Sequence, residues 1–400
     1  MTEETDQPGP DEYVLKLCGD LTTVPAADWD ACAGNSNPFV SHAFLSALEE
    51  AGCASVEEGW MPQHLLLESP DGRLIGCAPM YMKSHSQGEY VFDHGWANAL
   101  ERAGGRYYPK LQMSVPFTPA TGPRLLVKQG EDVELTRRML LQGAAQAAEQ
   151  LGVSSLHITF PTDEEADLGR SQDWLFRTGE QFHWVNNGYA TFDDFLADLS
   201  SRKRKAIRRE RAGALEGGIE VEEITGRDLN EDHWDAFYQF YIDTSSRKWG
   251  QPYLNRTFFS LLGEKVGEHT VLMMAKREGQ YIAGALNMIG TETLFGRYWG
   301  CVEEHRFLHF ELCYYRAIDW AIRHGLDRVE AGAQGPHKLA RGYLPVATHS
   351  IHWIRDDGFR RAVSDYLEHE RREVQREIDY LSDFSPFRKD GKYQADEGAI

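Results

Sequence analysis

The sequence predicts a mixed α/β fold made of two like halves, each a mostly antiparallel sheet flanked by helices. The first observation is a repeated order of features. In the first half Ala27-Asp28-Trp29-Asp30-Ala31 precedes the helical FLSALEEAG (44–52), the strand HLLLE (64–68), a turn at Pro70-Asp71-Gly72 and the strand LIGCAPMYMK (74–83). In the second, His233-Trp234-Asp235-Ala236 precedes FFSLLGEKVGE (258–268), VLMMAKR (271–277), Glu278-Gly279 and YIAGALNMIG (281–290). The second observation is that the match resumes later. MLLQGAAQAAEQLGVSSLHITFP (139–161) parallels ELCYYRAIDWAIRHGLDRVEAGAQ (311–334), each an amphipathic helix closed by glycine and followed by a strand. Phe182 to Ala190 then parallels Thr348 to Ile354. The third is the absence of the regular strand–helix alternation of a doubly wound sheet.

Within this frame the elements follow from local chemistry. Asp71-Gly72 and Glu278-Gly279, flanked by alternating residues, are hairpin turns. The first half carries an extra segment of about 35 residues, Gly88 to Gly122, rich in Gly, Pro and aromatics. The densest stretch is 295–354. Phe295 to Cys301 reads as a strand, and Leu308, Leu312, Tyr315, Ile318 and Ile322 form the apolar stripe of a helix that Gly325 ends. Arg328 to Ala331 is a short strand running into the polar loop Gly332 to Lys338, and Pro345 to Ile354 is a strand again. Ala362 to Leu381 is a charged amphipathic helix. The expected organisation is a disordered lead at 1–12, an N-terminal domain at 13–198, a basic helical linker at 199–218, a second domain at 219–360, and a final helix and disordered tail at 361–400.

Composition narrows the function. The formal charge of −20 opposes general nucleic-acid affinity, which needs a basic footprint, and opposes binding to anionic membranes. No run of about 18 apolar residues is present, so no spanning helix is expected. The acidic start MTEETDQPGPDEY is not a signal peptide, and the six scattered cysteines (18, 32, 53, 77, 301 and 313) form no Cys-x-x-Cys pair. A cytoplasmic protein with reduced thiols, and no metal site, is the expectation. Against the acidic total stands one basic run: seven of the ten residues from 202 to 211 are Lys or Arg, with Ser200 or Ser201 as the expected helix N-cap and Gly213 and Gly217 as breakers.

That run, SRKRKAIRRERAGALEGG, resembles the corresponding stretch of FemAB-like proteins, which pair two GNAT-type domains. The stretch GRYWGCVEEHRFLHFELCYYRAIDWAIRHGLDRVEAGAQGPHKLARGYLP is similar to the signature of the predicted N-acyltransferase branch of that superfamily. FVSHAFLSALEEAG (39–52) and FDHGWANALERAGGRYYPKLQMSVPFTPATGPRLL (92–126) add to it, so the resemblance spans about residues 13–385. It implies two tandem GNAT-like domains and transfer of an acyl or aminoacyl group from an activated thioester or ester to an amine. It implies an acyl-CoA or other activated donor as cosubstrate, with no permanently bound cofactor. The expected partners are a small-molecule or peptide amine, and a carrier protein or aminoacyl-tRNA as donor. A non-catalytic protein that binds a peptide or cell-wall precursor is the alternative. One departure stands out. Where GNAT enzymes place a glycine-rich pyrophosphate loop, this chain has Glu303-Glu304-His305-Arg306-Phe307-Leu308, which disfavours acetyl-CoA in the standard pose.

Acyl transfer to an amine needs a base, donors for the carbonyl oxygen, and a proton for the leaving group. Glu330, inside a strand, is a candidate base or a structural ion-pair partner of Arg328, Lys338 or Arg341. His337 is a further catalytic candidate, and Lys338 and Arg341 on the same loop suit a phosphate or carboxylate; a solvated loop is the bland reading. His309 and Glu311 open the helix and are catalytic candidates, whereas Arg316, Asp319 and Arg323 are read as its solvated face. Tyr343 is a donor to a leaving group or a core tyrosine, and Tyr298 is a candidate donor-binding residue. Arg202, Lys203, Lys205 and Arg208 are read as an anion-binding lip, or as a solvated helix balancing an acidic protein. Asp93, His94 and Trp96 in the inserted segment wall an acceptor pocket or fill the core.

Overall fold

The computed structural model describes residues 12–247, 251–332, 335–388 and 391–393. It divides into two compact units. The first holds Met1–Gly179 and His349–Arg371; the second holds Glu180–Thr348 and Arg372–Ile400. The architecture is the expected mixed α/β one, antiparallel sheets flanked by helices. The lead at 1–11 and most of the C-terminal tail lie outside the described residues.

In the first unit, Val14–Cys18, His64–Glu68, Leu74–Ala78 and Leu126–Val127 form an antiparallel sheet in that order. The run read as one strand at 74–83 is two, broken at Pro79, which has no N–H to give a ladder. Its second part, Met80–Lys83, joins another set of strands. Trp60–Pro62 pairs antiparallel with Met80–Lys83, which pairs antiparallel with Lys110–Met113. Lys110–Met113 runs parallel to Ser155–Thr159 after a crossover through helix Val133–Gln150, and residues 350–354 complete the set against Ser155–Thr159.

The two faces of this second set differ. Alternation puts Met80, Met82, Leu111, Met113, Leu156, Ile158 and Ile351 on one side, packed on Leu140, Leu141, Ala144 and Ala148 of the crossover helix. The other side carries Tyr81, Lys83, Lys110, Gln112, Ser155, His157, Thr159, Ser350 and His352, and it too is buried.

In the second unit, Ile219–Thr225, Thr270–Arg277, Gln280–Ile289 and Thr293–Cys301 form an antiparallel meander. The hairpin at Glu278-Gly279 forms as read, with φ +53° and +77°, the left-handed pair that a tight two-residue turn demands. The last strand of the meander then pairs in parallel with Arg328–Glu330, which pairs on its other side with residues 183–185. The core lies between this sheet and the helical run Leu308–Arg323, whose stripe residues Leu312, Tyr315, Ile318 and Ile322 are all buried in it.

Helix Ser201–Ala214 begins after Ser200, as read. Gly213 lies inside it rather than ending it, and the chain breaks away at Gly217 and Gly218, both left-handed.

Candidate functional site

Two elements of the second unit are irregular. Strand Thr293–Cys301 pairs with Arg328–Glu330 only through Phe295, then runs on to Cys301 while its neighbour ends at Glu330. Its ladder with Gln280–Ile289 slips at the same place: Leu286 faces Tyr298 and Asn287 faces Gly296, leaving Arg297 as the extra residue of a bulge. The helix that follows is irregular too. Glu311–Tyr315 forms a π-type turn between α-helical Leu308–Phe310 and Arg316–Arg323. Such turns rotate the side chains that follow and recur at functional sites.

The π turn sends three side chains to three different partners. Glu311, fully buried, accepts from Arg211 (3.0 and 3.1 Å) and from Arg316 (3.0 Å), so the candidate base is clamped between two guanidinium groups. Tyr314 Oη lies 3.0 Å from His337 Nε2. Tyr315 Oη donates to Glu210, whose carboxylate also accepts from Arg341 at 2.9 Å. Arg341 in turn stacks on Phe310, its guanidinium carbon 3.4 Å from the ring centre.

Above this lattice is a cleft of about 730 Å³. Helix Ser201–Ala214 supplies Arg202, Lys203, Lys205 and Arg209, and the loop side supplies Tyr315 and Arg341. Residues 202, 205 and 209 are spaced three and four apart, so they share one helical face over about 10 Å of axis. Arg208 is on another face; it pairs with exposed Asp193 at 3.0 Å.

Beside the cleft is a cluster of rings. His309 lies 5.1 Å from Trp299, 5.4 Å from Tyr314 and 6.4 Å from His337, centre to centre. His337 is exposed, and partial burial together with the charges of Arg341 and Lys338 pulls its imidazole below the usual value. Lys338 is buried and donates to the Gly332 carbonyl at 2.8 Å; burial lowers its ammonium to about 8. Glu330 is buried with its carboxylate 3.9 Å from His183 Nε2, and His183 is 3.1 Å from Gln181 Oε1. Burial first, then Arg328 and Lys338, push His183 down to about 3, so it is neutral. The loop residues 333–334 lie outside the described residues.

The sequence-based candidates thus divide. Arg202, Lys203, Lys205 and Arg341 meet at the cleft, and His309 and His337 meet in the ring cluster. Glu330 and Lys338 are buried, and Tyr343 is a core tyrosine donating to the Tyr314 carbonyl at 3.3 Å. Tyr298 packs edge-on against Tyr241. Asp93, His94 and Trp96 are in the first unit. Asp93 is buried in an ion cluster, Trp96 lines an apolar groove, and His94 is exposed beside Phe92. Arg316, read as solvated, instead anchors Glu311. Sequence reasoning missed Glu210, Tyr315 and His183 as polar partners. Tyr315 was hidden because it falls on the apolar stripe, and no local signal marks the other two.

Comparison with known proteins gives the fold independent support. The crystal structure of FemX superposes with a TM-score of 0.55 at 12% identity, covering 85% of this chain and 98% of FemX. A conserved protein of unknown function from Bacteroides thetaiotaomicron VPI-5482 superposes with a TM-score of 0.51 at 12% identity, covering 86% and 100%. The C-terminal domain of a putative lysylphosphatidylglycerol synthetase from Agrobacterium fabrum reaches 0.50 at 10% identity, covering 86% and 96%. No curated protein matches the sequence. A family model, FemAB-like, described as peptidoglycan biosynthesis/recognition, matches residues 20–389. With a match over nearly its whole length, on a fold of two helix-flanked mixed units, the chain belongs to the FemAB-like family.

Proposed function

We propose that the protein is a transferase that moves an acyl or aminoacyl group from an activated thioester or ester to an amine, with the phosphate-bearing part of the donor held in the cationic cleft of the second unit. The observation that carries this reading is the cleft itself. Five cations, Arg202, Lys203, Lys205, Arg209 and Arg341, line one depression in a chain whose formal charge is −20. Such a concentration, against the sign of the whole molecule, favours an anionic ligand. The family description favours a peptidoglycan-related amine as acceptor.

The chemistry assigned to each group follows from its surroundings. The amine must lose a proton as it attacks the carbonyl carbon. His337, exposed and held neutral near pH 7, accepts it, with Tyr314 orienting the ring. The bond to the leaving sulfur or oxygen breaks as the amide forms, and the cations of the cleft stabilise the leaving group's phosphates. Glu311 does not act as the base. Its contacts with Arg211 and Arg316 make it the anchor that ties the basic helix to the π turn.

The test is turnover by the full chain with a panel of acyl-CoA thioesters, aminoacyl-tRNAs and amines. Amine-dependent release of thiol or of free tRNA supports the reading. Binding of a peptide or precursor with no release from any donor favours the non-catalytic alternative.

A further inference from the structure

The first unit hides a polar sheet face that the acyl-transfer reading does not use. Trp60, Tyr81, Lys83, Lys110, Gln112, His157 and His352 stand on neighbouring strands, side by side by register: Trp60 opposite Lys83, Tyr81 opposite Gln112, Lys83 opposite Lys110, Gln112 opposite His157, His157 opposite His352. Ser86, Glu89, Asp93 and Tyr107, from the chain between strands Met80–Lys83 and Lys110–Met113, cover them.

Charge on this face is unevenly satisfied. Lys110 spends its three N–H groups on Ser86 (2.9 Å), Glu89 (2.6 Å) and Asp93. Tyr107 Oη donates to Asp93 at 2.6 Å. His157 Nδ1 lies 2.7 Å from His352 Nδ1, and a serine hydroxyl meets the other nitrogen of each ring. Six buried atoms of this face and its cover lack a hydrogen-bond partner among the described residues: Trp60 Nε1, Tyr81 Oη, Glu89 Oε1, Asp93 Oδ1, Gln112 Oε1 and Ser114 Oγ. Lys83 does not supply them. Its ammonium donates to the Gln87 carbonyl at 3.2 Å, rests 3.6 Å from the centre of the Trp60 ring, and stops 3.9 Å from Glu89.

A buried polar group without a partner is costly, and six on one sheet face and the segment over it point to a partner that the chain itself does not supply. We propose that this face is a binding site for a small molecule bearing a primary ammonium group beside an oxygen function, the pattern shared by amino acids, amino alcohols and amino sugars. Gln112 Oε1 can only accept, as does Glu89 Oε1 when its carboxyl is ionised, and an ammonium, which favours that ionised form, offers three N–H groups to them. The Trp60 indole N–H can only donate, so it requires an oxygen on the ligand. The Tyr81 and Ser114 hydroxyls serve either side. An apolar ligand would leave all six unmet. The assignment concerns binding in the first unit and is independent of acyl transfer by the second.

The test is the indole N–H spectrum of the ¹⁵N-labelled full chain, with the Trp60 signal identified by its loss in Trp60→Phe. Glycine, L-alanine, ethanolamine and D-glucosamine are titrated, with acetate and N-acetyl-D-glucosamine as controls. The expected result is a saturable shift of the Trp60 signal with one or more of the amines at about 1 mM and none with the controls. Glu89→Gln and Gln112→Met, the latter leaving the ion cluster untouched, should each weaken that binding about tenfold or more. No shift with any amine, equal shifts with the controls, or an affinity unchanged in a folded Gln112→Met protein would overturn the proposal and leave ordered water as the only occupant of the face.

Discussion

The Arg341 guanidinium carbon lies over the Phe310 ring, 3.4 Å from its centre, while one of its N–H groups reaches Glu210 on the basic helix at 2.9 Å. One side chain therefore ties the loop after strand Arg328–Glu330, the start of the helical run at 308, and the helix that walls the cleft. A planar, delocalised cation is needed for this; an ammonium cannot stack and bond in one plane. Arg341→Lys, which keeps the charge, is expected to weaken donor binding about tenfold. Titration of the variant with the donor checks this. Wild-type affinity in Arg341→Lys would mean that only the charge matters.

His337 is the proposed base. Partial burial and the nearby Arg341 and Lys338 cations lower its imidazole from 6.5, so the neutral form persists to lower pH than in a free histidine. The rate should be flat above pH 6.5 and fall below it as the ring protonates. His337→Ala should reduce kcat by about 100-fold or more and abolish that acid limb. A variant that keeps the limb would assign the base elsewhere.

Glu311 is the predicted structural anchor. It is fully buried, and its two cationic partners are each more than three-quarters buried. Glu311→Gln leaves two guanidinium groups facing a neutral amide, and should cost about 3 kcal/mol of stability. Chemical denaturation measures this. A loss of activity with unchanged stability would instead place Glu311 in the chemistry.

His183 gives a stability prediction with a definite sign. Its folded value is about 3 against an ordinary 6.5, so the unfolded chain takes up a proton that the folded chain refuses. Its contribution is fully present above pH 6.5 and is lost as the pH falls toward 3. His183→Gln should flatten the acid side of the stability profile by about 1.4 kcal/mol per pH unit. Parallel slopes for wild type and variant between about pH 6 and about pH 4 would show that His183 accepts its proton while folded.

Much of this was legible in the chain. Period-two and period-3.6 patterns placed the hairpins at 71–72 and 278–279 and the helix at 308–323, because one face of each element must be apolar. The basic helix was legible from composition alone. The π turn was not, since one extra residue in a turn leaves the apolar stripe almost unchanged while redirecting Glu311, Tyr314 and Tyr315. The Glu210–Tyr315–Arg341 link joins residues more than a hundred positions apart, which no local pattern reports. In the first unit, residues 80–83 and 155–159 fall in runs that read as strands and whose second face is polar, as if for solvent, whereas strand Lys110–Met113, inside the inserted segment, is not legible. The inserted segment adds strand Lys110–Met113 to that face and lays Glu89, Asp93 and Tyr107 over it, and such placement is a tertiary fact.

The cationic cleft is the point on which the account turns, and a binding titration at low salt tests it most directly. Coenzyme A and an aminoacyl-tRNA are titrated into the wild-type chain and into an Arg202→Glu, Lys205→Glu, Arg209→Glu variant. At least one of the two is expected to bind the wild type with an affinity that falls steeply as salt is added, and the variant to lose that affinity about 100-fold or more. Neither ligand binding, or equal binding by wild type and variant, would contradict this.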